Sequence, residues 1–124
     1  MPKLRVYIVE DEPLMAIALK RIIYTMGHNV CGMADCYETA VKDLRIVKAD
    51  IVLTYIMIKG TKTGIDVAAF INRYLHIPFI FQSSVTCDDI LKQAYDTCPN
   101  AFLQKPVSKA ALLNALALLP ALIL

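Results

Sequence analysis

The chain has 124 residues, 57% hydrophobic and 19% charged, with 13 Lys and Arg against 11 Asp and Glu for a formal net charge of +2. That length suits one domain that buries a core without disulfide or metal staples, and the composition excludes a disordered or fibrous chain. A charge so near balance leaves no basic footprint for nucleic acid or an anionic membrane.

The four cysteines, at 31, 36, 87 and 98, form no Cys-x-x-Cys pair, and His28 and His76 do not complete a ligand set with them. A zinc site is not expected, and the thiols read as reduced packing residues. The first residues, MPKLRVYIVEDE, lack the long apolar stretch of a secretion signal. The apolar stretch from Ala110 to Leu124 is interrupted by Asn114 and Pro120 and falls short of the ~20 residues of a spanning helix. The reading is a soluble, cytoplasmic protein.

In chain order, Leu4 to Val9 is a β-rich run that stops at Glu10-Asp11-Glu12. Pro13 fits the first turn of a helix with Leu14, Ile17, Ala18, Ile22 and Met26 on its apolar stripe and Gly27 past its end. Asn29 to Ala34 is a second strand. Asp35 is set to cap a helix carrying Ala40, Val41, Leu44 and Val47. Asp50 to Ile56 is a third strand, nearly all apolar, as strands buried on both faces of a parallel sheet are.

A loop over residues 59–64 leads to a helix with Ile65, Ala68, Ile71 and Leu75 at core spacing. Pro78 to Gln82 is a fourth strand, and Asp88 or Asp89 opens a helix bearing Leu91, Ala94 and Tyr95. Ala101 to Gln104 is a fifth strand ended by Lys105-Pro106, and Ser108 caps a last helix. Five such βα units with right-handed crossovers make an α/β fold, a doubly wound parallel sheet covered on both faces. Its chemistry belongs at the carboxyl ends of the strands. The residues found there are Glu10-Asp11, Tyr55, Ser83-Ser84 and Lys105.

Adjacent carboxylates at the end of strand one suit a hard cation such as Mg²⁺, although acids at a helix N-terminus also simply complement its dipole. They disfavour a nucleotide or flavin phosphate, which wants glycines and free backbone N–H groups at this turn. Lys105 directs a compact positive charge toward the acids, and a hydroxyl at Ser83 can hydrogen-bond an oxyanion. Each residue alone has an ordinary surface or turn explanation.

In register, the fragments Val9-Glu10-Asp11-Glu12, Asp50-Ile51-Val52-Leu53, Gly64-Ile65-Asp66-Val67-Ala68, Pro78-Phe79-Ile80-Phe81-Gln82-Ser83 and Ala101-Phe102-Leu103-Gln104-Lys105-Pro106 resemble the CheY-like receiver domain of two-component response regulators. The resemblance implies a flavodoxin-like (βα)5 fold with strand order 2-1-3-4-5 over residues 1–119, and residues 120–124 as the start of a linker. It implies a non-enzymatic phosphorelay module. In that family an aspartate at the end of strand three takes a phosphoryl group from a histidine kinase. The family's Mg²⁺-holding acids fall on Glu10 and Asp11, with the Met57 backbone carbonyl completing the metal shell. Its switch residues fall on Ser83 and Phe102, and its lysine falls on Lys105.

The acceptor position departs from the pattern, because Tyr55 stands where the aspartate belongs. Thr54 and Ile56 are not carboxylates, and Asp50 lies roughly 16 Å away at the other end of the strand, at about 3.3 Å per residue. A phenol of pKa near ~10 is neutral at pH 7 and a poor nucleophile without an activating base. Losing one anionic ligand weakens any magnesium site, and none is required for a domain that does not accept phosphate. A large ring is expected to fill part of the phosphoryl pocket, its hydroxyl partnered by Glu10, Asp11 or Lys105.

The sequence therefore reads as an atypical receiver acting by protein–protein contact. Two alternatives are a competent receiver in which residue 55 is natively aspartate, and a small flavin-binding electron carrier of the same fold. The segment Ala110 to Leu119 is apolar nearly all round, which suits contact with a histidine kinase, an output domain or a second copy through helix four, strand five and helix five. No direct contact with nucleic acid or membrane is expected.

Overall fold

In the computed structural model, which describes residues 3–117, strands and helices alternate as the hydrophobic pattern requires. The strands are β1 (Arg5–Val9), β2 (Asn29–Ala34), β3 (Ile51–Tyr55), β4 (Phe79–Ser83) and β5 (Ala101–Gln104). Between and after them run α1 (Pro13–Thr25), α2 (Tyr37–Leu44), α3 (Gly64–Phe70), α4 (Asp88–Asp96) and α5 (Lys109–Ala117). All four strand pairings are parallel, in the order β2-β1-β3-β4-β5. The order reverses about β1 and β3, and a crevice at their carboxyl ends follows from that switch.

Successive side chains alternate across the sheet. Val6, Ile8, Ile51, Leu53 and Ile80 meet Leu19 and Ile23 of α1 and Leu112 and Leu116 of α5 on one face. Tyr7, Val9, Val52, Phe79 and Phe81 meet α2, α3 and α4 on the other. The Tyr7 ring passes over Gly32, where an added Cβ would come within 2.7 Å of it, and its hydroxyl donates to Asp43 Oδ2 at 2.6 Å. Burial and the Asp43 carboxylate push the Tyr7 phenol well above its ordinary pKa.

Several local expectations need correction. The buried side of α1 is Ala16, Leu19 and Ile23, whereas Leu14 and Ile17 are 82% and 52% exposed, Ala18 is exposed, and Ile22 and Met26 are only half-buried. This helix is apolar on two sides, and packing chose the other one. Asp35 does not cap α2. Cys36 holds that position and Asp35 pairs with Lys59 at 3.4 Å. Val47 lies beyond the end of α2. Asp88 does open α4, directly after Cys87, whereas Tyr95 is 58% exposed. Asp50 and Ile56 flank β3 rather than belonging to it.

The third helix is shorter than its spacing implies, because Ile71–Leu75 widens into a π-helical turn. Gly27 follows α1 at φ +84°, as a left-handed terminus requires, and the Ser108 hydroxyl caps α5 by accepting the Ala111 N–H at 3.0 Å. All four cysteines are free thiols. The linker expectation at residues 120–124, and Leu118 and Leu119 of the last apolar segment, lie outside the described residues.

Gly64 opens α3 and lies directly against the end of β3. A Cβ there would lie 2.0 Å from the Tyr55 carbonyl oxygen. Its N–H donates to the Ile56 carbonyl at 2.7 Å, and Thr63 with Asp66 closes a reciprocal cap around it. Helix propensity alone favours alanine over glycine by about 1 kcal/mol. The backbone contact dominates, so Gly64→Ala is expected to lower unfolding stability by about 1–3 kcal/mol in urea titrations. An unchanged or raised midpoint would show that the β3–α3 contact is not tight.

Candidate functional site

Four strands deliver side chains to the crevice. Glu10 follows β1, Tyr55 ends β3, Ser83 ends β4 and Lys105 follows β5. In the parallel register Val9 lies beside Thr54, and Tyr55 lies beside Gln82. The fold therefore brings Glu10, Tyr55, Ser83 and Lys105 to one end of the sheet.

The Glu10 side chain is fully buried, and its Oε1 lies 2.5 Å from Lys105 Nζ, whose side chain is 10% exposed. Two opposite charges removed from water this way must stay together, since either alone would be buried without compensation. The same ammonium sits over the face of the Tyr55 ring, 3.5 Å from its centroid. That is a close cation–π contact, favoured where water is excluded. The lysine is thus held by a carboxylate on one side and an aromatic face on the other.

Tyr55 is half-buried, with its ring against the α2–α4 side of the core. Its hydroxyl is 3.2 Å from the Ser84 hydroxyl. This corrects the expectation that Glu10, Asp11 or Lys105 would partner it. The lysine takes the ring's negative face, where a cation is attracted, so the hydroxyl edge turns out toward the β4–α4 loop. Ser84, one residue beyond the strand, was legible as a strand-end hydroxyl but carried no signal of this contact.

Ser83 is buried, and its Oγ accepts the Val85 N–H at 2.8 Å, while its carbonyl accepts the Lys105 N–H at 2.9 Å. Phe102 is half-buried, stacked on Tyr95 with centroids 5.0 Å apart and tilted against Phe81 at 6.2 Å. Asp50 is at the far end of β3, where its Oδ2 accepts the Arg5 N–H at 2.8 Å.

The family model for the response regulator receiver domain matches residues 6–117. The chain belongs to the response regulator receiver family. Among curated proteins, this receiver is 29% identical over 114 residues to the transcriptional regulatory protein PdtaR of Mycobacterium tuberculosis, covering 92% of the chain and 55% of that protein. It is 32% identical over 77 residues to the phyllosphere-induced regulator PhyR of Methylorubrum extorquens, covering 61% of the chain and 29% of that protein. The chain spans about half the length, or less, of these relatives.

Among solved structures, the signal receiver domain of a modulated diguanylate cyclase from Desulfovibrio desulfuricans superposes with a TM-score of 0.90 at 30% identity, covering 94% of this chain and 93% of that one. The fold class and strand order read from the sequence hold. The receiver is a module of two-component signalling, a family whose members work with histidine kinases and output domains, and the electron-carrier alternative is set aside. No helix among the described residues is long and apolar enough to cross a membrane.

Receivers of the resembling kind hold magnesium on acids at the ends of strands one and three. Here the donor set does not fit that ion. Tyr55 supplies a phenol, not a carboxylate, with its hydroxyl facing Ser84, and Glu10 is occupied by Lys105. Asp11, half-buried, and Glu12, exposed, have no ion pair among the described residues. No group of three His, Cys, Asp or Glu side chains among those residues is placed to hold a metal.

The Glu10–Lys105 pair makes a direct prediction. Lys105→Met strands a buried carboxylate and is expected to cost about 3–5 kcal/mol in urea unfolding. Removing both charges in Glu10→Leu/Lys105→Met is expected to recover most of that loss. Additive losses would mean that the two side chains do not depend on each other.

Proposed function

We propose that this receiver signals by docking to a protein partner without accepting a phosphoryl group. The observation that carries the reading is the occupant of the acceptor position. An acyl phosphate forms when a carboxylate attacks phosphorus in line, and Tyr55 offers no carboxylate, only a phenol whose hydroxyl lies against Ser84. Lys105, the cation that would meet an incoming phosphoryl group, already has a carboxylate and an aromatic face. Glu10, Asp11 and the Met57 carbonyl are remnants of a magnesium site that this chain does not use, and Ser83 and Phe102 keep their places without a phosphoryl group to move them.

The partner surface we propose is the apolar area left in solvent. It comprises Tyr95 and Leu113, on the α4–β5–α5 side, and Leu14 and Ile17 on α1. The apolar character read into helix five is only partly available, since Leu112 and Leu116 are buried in the core.

Incubation with radiolabelled acetyl phosphate and Mg²⁺ tests the reading. The wild-type chain is expected to take up no hydroxylamine-labile label. Stoichiometric labelling of the wild type would overturn the proposal.

A further inference from the structure

Tyr55 touches both loops that border the α4–β5 surface. Its hydroxyl meets Ser84 in the β4–α4 loop at 3.2 Å, and its ring face carries the ammonium of Lys105, from the β5–α5 turn, 3.5 Å from the centroid. Its own backbone is fixed, because Gly64 packs on the Tyr55 carbonyl too closely to admit a Cβ.

The β4–α4 loop has few other ties. Ser84, Thr86 and Cys87 are exposed, and the only other hydrogen bond the loop makes with the end of β4 among the described residues is Val85 N–H to Ser83 Oγ at 2.8 Å. Immediately beyond the loop lies α4, whose Tyr95 is exposed and stacked on Phe102 of β5.

We propose that Tyr55 is a positioning residue, a permanent strut between the β4–α4 loop and the β5–α5 turn that holds the α4–β5 surface in one arrangement. The side chain has two separable ends. The hydroxyl restrains the loop, and the ring face holds the lysine that also neutralises Glu10. The strut takes from the proposed function only that Tyr55 carries no phosphoryl group. A docking surface fixed in this way is presented continuously, with no modification needed to form it.

The test separates the two ends. Tyr55→Phe keeps the ring and removes the hydroxyl, so hydrogen exchange of the Val85 amide is expected to quicken roughly two- to tenfold, the range that one modest hydrogen bond supports. The Lys105 side-chain protons should keep their upfield ring-current shift in the NMR spectrum. Ser84→Ala should quicken Val85 to the same degree, and Tyr55→Phe/Ser84→Ala no further than either alone. Tyr55→Leu should both quicken Val85 and abolish the Lys105 shift.

Unchanged Val85 exchange in Tyr55→Phe, additive effects in the double variant, or no ring-current shift on Lys105 in the wild type would each overturn the strut. The Phe and Ala variants suffice for the hydroxyl end if the Leu variant does not fold. Labelling of the wild type by acetyl phosphate would defeat the proposed function while leaving these exchange results standing, so the two can fail separately.

Discussion

The arrangement of the crevice depends on one buried cation. Lys105 follows β5 and points into a region from which water is largely removed, and a charge placed there must be compensated. In a receiver with an acceptor carboxylate, that group and the acids at the end of strand one share the task. Here β3 ends in a phenol, so Glu10 becomes the counter-ion and the Tyr55 ring supplies the second contact through its negative face. With its face turned to the lysine, the ring presents its hydroxyl to the β4–α4 loop. One substitution thus fixes the pairing of the acid, the orientation of the aromatic and the tether of a loop.

The frame of the domain and the chemistry at its strand ends have separate origins. The sheet brings the right strand ends together because hydrophobic alternation and right-handed crossovers specify the topology, and neither depends on residue 55. Fold and reaction are therefore separable in this chain. The match over residues 6–117 establishes what the domain is, while the chemistry at the end of β3 governs what it can accept.

Much of the fold was legible in the sequence where one physical signal dominated. The nearly all-apolar run Asp50–Ile56 reads as a strand buried on both faces, and Gly27 and Ser108 mark helix ends by their backbone and hydroxyl chemistry. The errors fall where two signals compete. In α1, Leu14 and Ile17 make as good a stripe as Ala16, Leu19 and Ile23, and only the packing of β1 and α5 decides which is buried. Asp35 is a good capping residue, but Lys59 of the β3–α3 loop competes for it. At the site, the four strand ends were predictable from topology. The Tyr55–Ser84 contact was not, because it follows from a side-chain orientation set by Lys105, a residue fifty positions away in sequence. The tight approach of Gly64 to the Tyr55 carbonyl was hidden for a similar reason, since a glycine in a polar loop ordinarily signals only a turn.

The most direct measurement is the ¹⁵N spectrum of the wild-type domain with and without saturating Mg²⁺ and beryllofluoride, a stable mimic of the transferred group. With Lys105 already neutralised and no carboxylate at the end of β3, the amides of residues 83–87 and 102–105 should not shift. Saturable shifts centred on those residues would mean that the crevice still receives a phosphoryl-like ligand, and would contradict the central claim.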